Sequence, residues 1–187
     1  MQTLPDLLKP GLDIVFVGIN PGLRSAENGH YFAHPRNRFW PAVNAAGVFN
    51  PPLSPETGHL APGQGIGFTD VVKRPSASAS AIRPVEFVAG APVLKAKLLA
   101  AAPRAVCFNG MTAYQQYMRH AEGVTDKFEF GRQTQPIGSG VAFVVPSPSP
   151  ANAAFSLEDL TSWYRQLAQL RVELCGPGRS GPANGAS

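Results

Sequence analysis

Two polar residues that could take part in chemistry stand at the ends of short apolar runs. Asn20 lies in the stretch GINPG, which follows the run DIVFV, and Asp70 ends the run GIGFTD. An asparagine amide is a poor general base and an unusual metal ligand, but it can orient a water molecule or the polar edge of a ring. Asp70 could face a pocket at the end of a strand, or it could cap a turn or pair with Lys73 or Arg74.

The segment that contains Asn20 places aromatic side chains among arginines. It reads GINPGLRSAENGHYFAHPRNRFW, with Tyr31 and Phe32 adjacent and arginines at positions 24, 36 and 38. Aromatic rings beside arginines suit a nucleic-acid base stacked on a ring with its phosphates held nearby. The alternative is that Phe32 fills the core and the arginines are ordinary surface charges. On these residues alone the alternative is favoured.

Metal and nucleotide cofactors have little support in the sequence. His30 and His34 are four residues apart, but Pro35 argues against a helix that would bring them to one face. No acidic cluster stands beside them, so structural or surface roles are favoured over metal binding. The first apolar run is followed by no G-x-G-x-x-G, and the chain has no Walker lysine motif. We therefore expect no metal and no cofactor.

Length and composition indicate one globular domain. The chain has 187 residues, of which 44% are hydrophobic, enough for a substantial core. Its formal net charge of +4 is a mild basic excess that permits an anionic partner such as nucleic acid. Cys107 and Cys175 form neither a zinc motif nor a disulfide framework, and Cys107 is predicted to be a small core residue. With no membrane-length apolar run and no visible signal peptide, we expect a cytoplasmic protein.

Alternating strands and helices predict an α/β fold, a single domain with a central, mainly parallel β-sheet flanked by helices. Apolar runs without strict alternation predict buried parallel strands at 13–18, 67–72, 104–109 and 141–146. Helical spacing of apolar residues predicts helices at 37–46, 84–102 (interrupted near Gly90-Ala91-Pro92), 110–120 and 156–174. Trp40 and Trp163 fall at core positions of these helices. The domain is predicted to span 1–174, followed by a flexible tail at 175–187.

The loops that follow these strands are the expected place for a ligand, because ligands of parallel sheets bind beyond the carboxyl ends of the strands. Three such loops, at 18–38, 70–83 and 146–155, are rich in Pro, Gly, Ser or Asn. A further Pro- and Gly-rich stretch at 49–67 is predicted to be a surface excursion.

Three motifs in this order resemble those of a known family. GINPGL…FAHPRNRFW resembles the first motif of the mismatch-specific uracil-DNA glycosylases, which are relatives of the thymine-DNA glycosylases. GIGFTDVVKRPSASAS is similar to the middle segment of that family, and VVPSPSPANAAFSLEDL stands where the family has its DNA-probing second motif. The resemblance covers 14–170. It implies a uracil-DNA glycosylase-like fold and a monomeric repair enzyme that excises uracil from mispaired duplex DNA, with thymine or other damaged pyrimidines as further substrates.

The resemblance also implies roles for residues of the first motif. Asn20 would hold the water that attacks the sugar. Backbone groups of Gly18 and Ile19 and the N–H of Phe32 would bind the uracil edge, and the Phe32 ring would stack on the flipped base, a contact worth ~1–3 kcal/mol. Asp70 stands where we expect no acidic residue, and we hypothesise that it polarises the water or stabilises the sugar cation.

The DNA contacts implied by the resemblance depart from the family at the second motif. Ser147 would contribute to the base site, although relatives have Asn or His there. The loop tip is small where relatives have a larger wedge, which puts strict mismatch specificity in doubt. The residues expected to contact DNA are Arg24, Arg38, Lys73, Arg74, Ser149, Pro150, Ala151 and Asn152. The rival interpretation is a non-catalytic nucleic-acid-binding domain with a degenerate pocket. We expect the enzyme to act on double-stranded DNA that contains G:U or related mispairs, in the cytoplasm of a bacterium and associated with its nucleoid.

Overall fold

The computed structural model describes residues 2–177 and is built on one five-stranded sheet. The strands are β1 (Ile14–Gly18), β2 (Ile66–Asp70), β3 (Ala105–Asn109), β4 (Gly131–Arg132) and β5 (Val141–Val145). They lie in the order β2-β1-β3-β5-β4. All neighbours are parallel except β4, which runs antiparallel to β5. The four predicted strands and the single-domain, mainly parallel architecture are thereby confirmed, and only the two-residue β4 was missed.

Helices cover both faces of the sheet. They are α1 (Leu23–Asn28), α2 (Phe39–Ala45), α3 (Pro84–Ala101), α4 (Met111–Tyr117) and α5 (Leu157–Cys175). The four predicted helices are present, whereas α1 lies inside a segment predicted to be a loop. It is a helix of only six residues that ends at Gly29 in a left-handed conformation, too short for an apolar period to reveal it.

The predicted interruption of α3 is wrong. The helix runs continuously through Gly90-Ala91-Pro92. The missing side chain of Gly90 serves close packing. A Cβ at Gly90 would lie only 2.2 Å from the carbonyl oxygen of Val71, so α3 approaches this backbone closer than any side chain permits. The predicted excursion at 49–67 is also partly structured, since Pro55–Gln64 forms 3₁₀ turns.

The two faces of the sheet carry separate cores. Phe16, Phe68 and Cys107 belong to the face covered by α2 and α5, which confirms Cys107 as a core residue. Val17 and Phe108 belong to the opposite face, covered by α3 and α4. Successive residues of a strand point to opposite faces. The last residues of β1, β2 and β3 therefore lie on the face of α2 and α5.

The chain order of the strands creates a crevice at the carboxyl edge. The chain leaves β1 towards β2 on one side and returns to β3 on the other side of β1. Loops that leave neighbouring strands in opposite directions leave room between them for a ligand. Gly18, Asp70 and Asn109 end the three strands that meet there.

Both tryptophans contact the core, as predicted. Trp40 is buried in the core beneath this crevice, and Trp163 is half-buried against the same core. No helix among residues 2–177 is both long and apolar enough to cross a bilayer. The helix α5 ends at Cys175, which is the first residue of the predicted tail. Most of the predicted flexible tail, residues 178–187, lies outside the described residues.

Candidate active site

The amide of Asn20 is fixed at the mouth of the crevice. Its Nδ2 donates hydrogen bonds to Ser76 Oγ (2.8 Å), to the Arg74 carbonyl (2.8 Å) and to the Pro21 carbonyl (3.1 Å). Its Oδ1 accepts no hydrogen bond from any of residues 2–177. The amide is thus held by its nitrogen and keeps an oxygen acceptor for an outside donor, which a water molecule can supply.

The first and middle segments are tied together around Asn20. The N–H of Val71 donates to the Gly18 carbonyl and that of Val72 to the Ile19 carbonyl, each at 2.9 Å. Farther along, the Ser76 N–H donates to the Pro21 carbonyl at 3.1 Å. Backbone hydrogen bonds between the two segments therefore continue past the ends of β1 and β2 and fix the backbone on which Asn20 lies.

Asp70 lies beside Gly18, its register partner on β1. The Asp70 Oδ1 stands where it would be 2.7 Å from a Cβ at Gly18, so only glycine leaves space for this carboxyl group. The side chain is buried, with 6% of its surface exposed, and Lys73 Nζ lies 3.1 Å from its Oδ2. Burial raises the pKa of Asp70 to about 6, against the opposing effect of Lys73. Of the alternatives that the sequence left open for Asp70, the pairing with Lys73 is confirmed.

Lys73 is held between two carboxylates. Besides Asp70, its Nζ lies 2.9 Å from Asp6 Oδ1, and it reaches Tyr31 Oη at 3.5 Å. Asp6 also contacts Lys97 Nζ through its other oxygen at 2.6 Å. The Lys73 ammonium group is therefore paired with carboxylates of the protein itself. Its predicted contact with DNA stays a prediction.

Phe32 combines the two alternatives that the sequence left open. Its ring stacks on Phe39, with centroids 3.9 Å apart and planes inclined by 21°, and it remains only half-buried. Its backbone is left-handed, with φ of 54°. The Phe32 N–H donates to no acceptor within the described part of the chain. The residue packs on the core, and its backbone N–H keeps a hydrogen for an acceptor from outside the protein.

Asn109 is a site residue that the sequence analysis missed. Its Oδ1 accepts a hydrogen bond of 2.8 Å from the hydroxyl of Tyr164. Its Nδ2 is buried and has no partner among residues 2–177. An unpaired buried amide costs ~1–3 kcal/mol, so such groups call for a ligand or another explanation. The same signal that marked Asn20 and Asp70, a polar residue at the end of an apolar strand, could have found it.

Ser147 lies over the loop that follows Asn109. A Cβ at Gly110 would stand 3.3 Å from Ser147 Cβ, and Gly110 itself has φ of 115°. Within the second motif, the N–H of Ser149 donates to Ser147 Oγ at 3.3 Å and the Asn152 amide donates to the Ser147 carbonyl at 3.0 Å. The tip, Pro150-Ala151, is exposed. The loop is ordered by its own hydrogen bonds, while its serine hydroxyls keep protons to donate.

Arg38 donates hydrogen bonds to the second-motif loop, residues 147–155. Its guanidinium donates to the carbonyls of Ser149 (3.0 Å), Asn152 (2.7 Å) and Phe155, and its backbone N–H donates to the Pro148 carbonyl at 3.1 Å. A phosphate contact by this side chain, which the sequence predicted, would compete with these carbonyls.

Arg74 and Arg24, two further residues expected to contact DNA, differ in whether their charges are already paired. Arg74 is bonded to both oxygens of Glu86, at 2.5 and 3.0 Å, whereas Arg24 is exposed on α1.

No group of three or more His, Cys, Asp or Glu in the described part of the chain is placed to hold a metal ion. A cavity of about 570 Å³ beside the buried Asp13–Arg171 ion pair contains none of the predicted site residues. The carboxyl edge therefore remains the candidate site.

Comparisons with known proteins match nearly all of the described chain. The model of the Uracil DNA glycosylase superfamily matches residues 5–171. Among solved structures, the chain is similar to the solution NMR structure of a candidate uracil DNA glycosylase from Methanosarcina acetivorans. The two are 25% identical with a TM-score of 0.57, and the match covers 89% of this chain and 98% of the other.

Proposed function

The chain belongs to the uracil DNA glycosylase superfamily, and we propose that it excises uracil from mispaired duplex DNA by hydrolysis of the N-glycosidic bond. The observation that carries the proposal is the Asn20 amide, whose nitrogen is fixed by three carbonyl or hydroxyl oxygens while its oxygen stays available. A water molecule that donates to this oxygen is positioned without the need for a strong base.

The reaction follows from the polarity of the bond that breaks. As the bond from the sugar C1′ to the uracil N1 lengthens, the sugar gains oxocarbenium character and the base leaves as an anion. The water adds to C1′, and its proton passes to the Asp70 carboxylate and then to solvent or the released base. The carboxylate also stabilises the positive sugar, while its Oδ2 stays 3.1 Å from Lys73 Nζ.

We infer that three groups bind the base. The free N–H of Phe32 and the unpaired Nδ2 of Asn109 are donors that suit the carbonyl oxygens of uracil. The half-buried Phe32 ring is backed by Phe39 and offers a stacking surface for the flipped base. Both donors stabilise the negative charge that develops on the leaving base.

The second-motif loop governs how the duplex is opened. Flipping a base costs a few kcal/mol, and less when the base is mispaired, which favours G:U over A:U. The exposed tip Pro150-Ala151 is a small wedge. We therefore infer that preference for mispairs comes mainly from the cost of opening the pair and less from contacts with the opposite guanine. Thymine and other damaged pyrimidines in mispairs are further substrates of the same site.

The second candidate function is a nucleic-acid-binding domain without catalysis. It is favoured by the small exposed tip Pro150-Ala151 of the second motif, which fills less of the gap that a flipped base leaves. Such a domain would need no fixed water site, whereas the three hydrogen bonds that hold Asn20 leave its oxygen available.

The test is single-turnover release of uracil from labelled duplexes with one G:U or A:U pair and from single strands. We expect release from G:U to be fastest, and we expect Asn20→Ala to slow it about a hundredfold, as displacement of a reacting group does. Asn44→Ala is the matched control, since this half-buried amide is also bonded to backbone but lies in α2 and contacts Leu53. DNA binding without release from any substrate would establish the binding domain instead.

A further inference from the structure

The unpaired amide of Asn109 has one partner that fixes its orientation. Tyr164, on α5, is fully buried, and its hydroxyl donates to Asn109 Oδ1 at 2.8 Å. Because the oxygen is taken, the NH₂ group is the part of the amide that remains unpaired at the carboxyl edge of the sheet. Nothing else within residues 2–177 bonds to either atom of this amide.

We propose that Tyr164 is a positioning residue that sets base specificity by holding the Asn109 amide with its NH₂ group towards the base pocket. The site then accepts a pyrimidine with a carbonyl oxygen at C4, as in uracil, and rejects one with an amino group there, as in cytosine. This inference rests on the proposed function, because it assigns the specificity of the same pocket.

The hydrogen-bond inventory explains why the amide does not flip. A tyrosine hydroxyl has a single proton to donate. If the amide turned over, its NH₂ would donate to the Tyr164 oxygen, and the hydroxyl proton would lose its only acceptor among the described residues. Such a buried unpaired donor is costly. The observed orientation satisfies both the hydroxyl and the amide oxygen, so it is the stable one.

The surroundings keep Tyr164 in its role as donor. Its ring makes edge contacts with Phe16 and Phe39, with centroids 6.1 and 5.8 Å away, which hold the side chain in place. Burial raises the pKa of Tyr164 well above its ordinary value, so the hydroxyl stays protonated at physiological pH. Phe39 also carries Phe32, so the ring that positions the amide and the ring that stacks on the base share one support.

The selectivity that results is a rejection of the wrong base. Uracil offers the Asn109 NH₂ an acceptor at O4. Cytosine carries an amino group at the same place, so two N–H donors would face each other. Sites that hydrogen-bond one group of a substrate can discriminate against analogues by 10⁴–10⁵. A repair enzyme needs this rejection, because cytosine is the normal base at the same position of the duplex.

The first experiment compares Tyr164→Phe with Tyr117→Phe. Both variants remove a buried tyrosine hydroxyl that makes one hydrogen bond, but Tyr117 bonds to Glu122 on the opposite face of the sheet. Single-turnover release is measured from A:U and A:C duplexes for each protein. We expect the ratio of uracil to cytosine release to fall at least tenfold in Tyr164→Phe and to stay unchanged in Tyr117→Phe. Equal losses on both bases, with an unchanged ratio, would overturn the inference.

A second experiment separates this inference from the proposed function. The side-chain amide signal of Asn109 is identified in ¹⁵N-labelled protein by its absence in Asn109→Asp, and free uracil or cytosine is then added. We expect uracil alone to shift the signal in the wild type, and both bases to shift it in Tyr164→Phe. This result in a protein that releases no uracil from DNA would refute the proposed function and keep the inference. No response to either base in the wild type, or equal responses to both, would overturn the inference.

Discussion

The buried carboxyl group of Asp70 makes a strong prediction about pH. Its pKa rises from 3.8 to about 6 because the side chain is buried, and Lys73 opposes the rise only in part. Such a shift corresponds to about 3 kcal/mol between the folded and unfolded states. Between pH ~4 and ~6 the folded protein keeps a proton on this group that the unfolded chain has already lost. Stability must therefore fall as the pH rises through this window, and the loss is complete above the folded pKa.

The Asp70→Asn variant isolates this contribution, because the amide does not titrate. Its free energy of unfolding, relative to the wild type, should increase by about 2.4 kcal/mol from pH 4 to pH 7, since the unfolded carboxyl group is already partly ionised at pH 4. Urea unfolding at half-unit pH intervals measures the difference, and Asp126→Asn, the same substitution at an exposed position, serves as the control. A difference between wild type and Asp70→Asn that stays constant across this range would refute the perturbed carboxyl group.

The same ionisation should govern the reaction. If the carboxylate is the active form, single-turnover release of uracil by the wild type rises about tenfold per pH unit below ~6 and levels off above it. Asp70→Asn should be slower at pH 7 and show no inflection near 6. A variant that keeps the wild-type rate and pH profile would leave Asp70 with a structural role only.

The remaining predictions concern packing and DNA contacts. Gly90→Ala should destabilise the protein by about 1–3 kcal/mol in thermal unfolding, because its Cβ meets the Val71 carbonyl at 2.2 Å; unchanged stability would contradict this packing. Arg24→Ala should reduce the slope of log affinity against log salt by about 0.9, since this exposed cation is free to meet a phosphate; an unchanged slope would remove it from the interface. Arg38→Ala should speed amide exchange across 147–155 and weaken DNA binding with little change in that slope, and unchanged exchange would show that the loop needs no such support.

Much of the site could be predicted because its residues mark the ends of apolar strands. Asn20 and Asp70 stand where buried runs give way to turns, and parallel strands bring such ends to one edge. Asn109 carries the same signal, and its importance emerges only from the missing partner of its Nδ2. The short runs of Val, Ile and Phe were sufficient to predict four of the five strands, whereas β4 has only two residues.

The contacts that could not be predicted are long-range. Arg38 meets carbonyls more than 100 residues away, and no local pattern reports such a partner. Likewise, Gly90 has the sequence signature of a helix break, and only the approach of Val71 shows that it serves close packing. Side-chain partners at this distance depend on the assembled fold. The sequence therefore predicted exposed arginines, whereas Arg38 and Arg74 donate hydrogen bonds within the protein.

The central claim is that Asn20 positions the water for excision of uracil. The most direct measurement is single-turnover release of uracil from a G:U duplex by wild type and Asn20→Ala under conditions where both proteins are fully bound to DNA. The account predicts release by the wild type and a loss of about a hundredfold in the variant, with DNA affinity retained. Equal rates for the two proteins, or no release by the wild type while it binds the duplex, would contradict it.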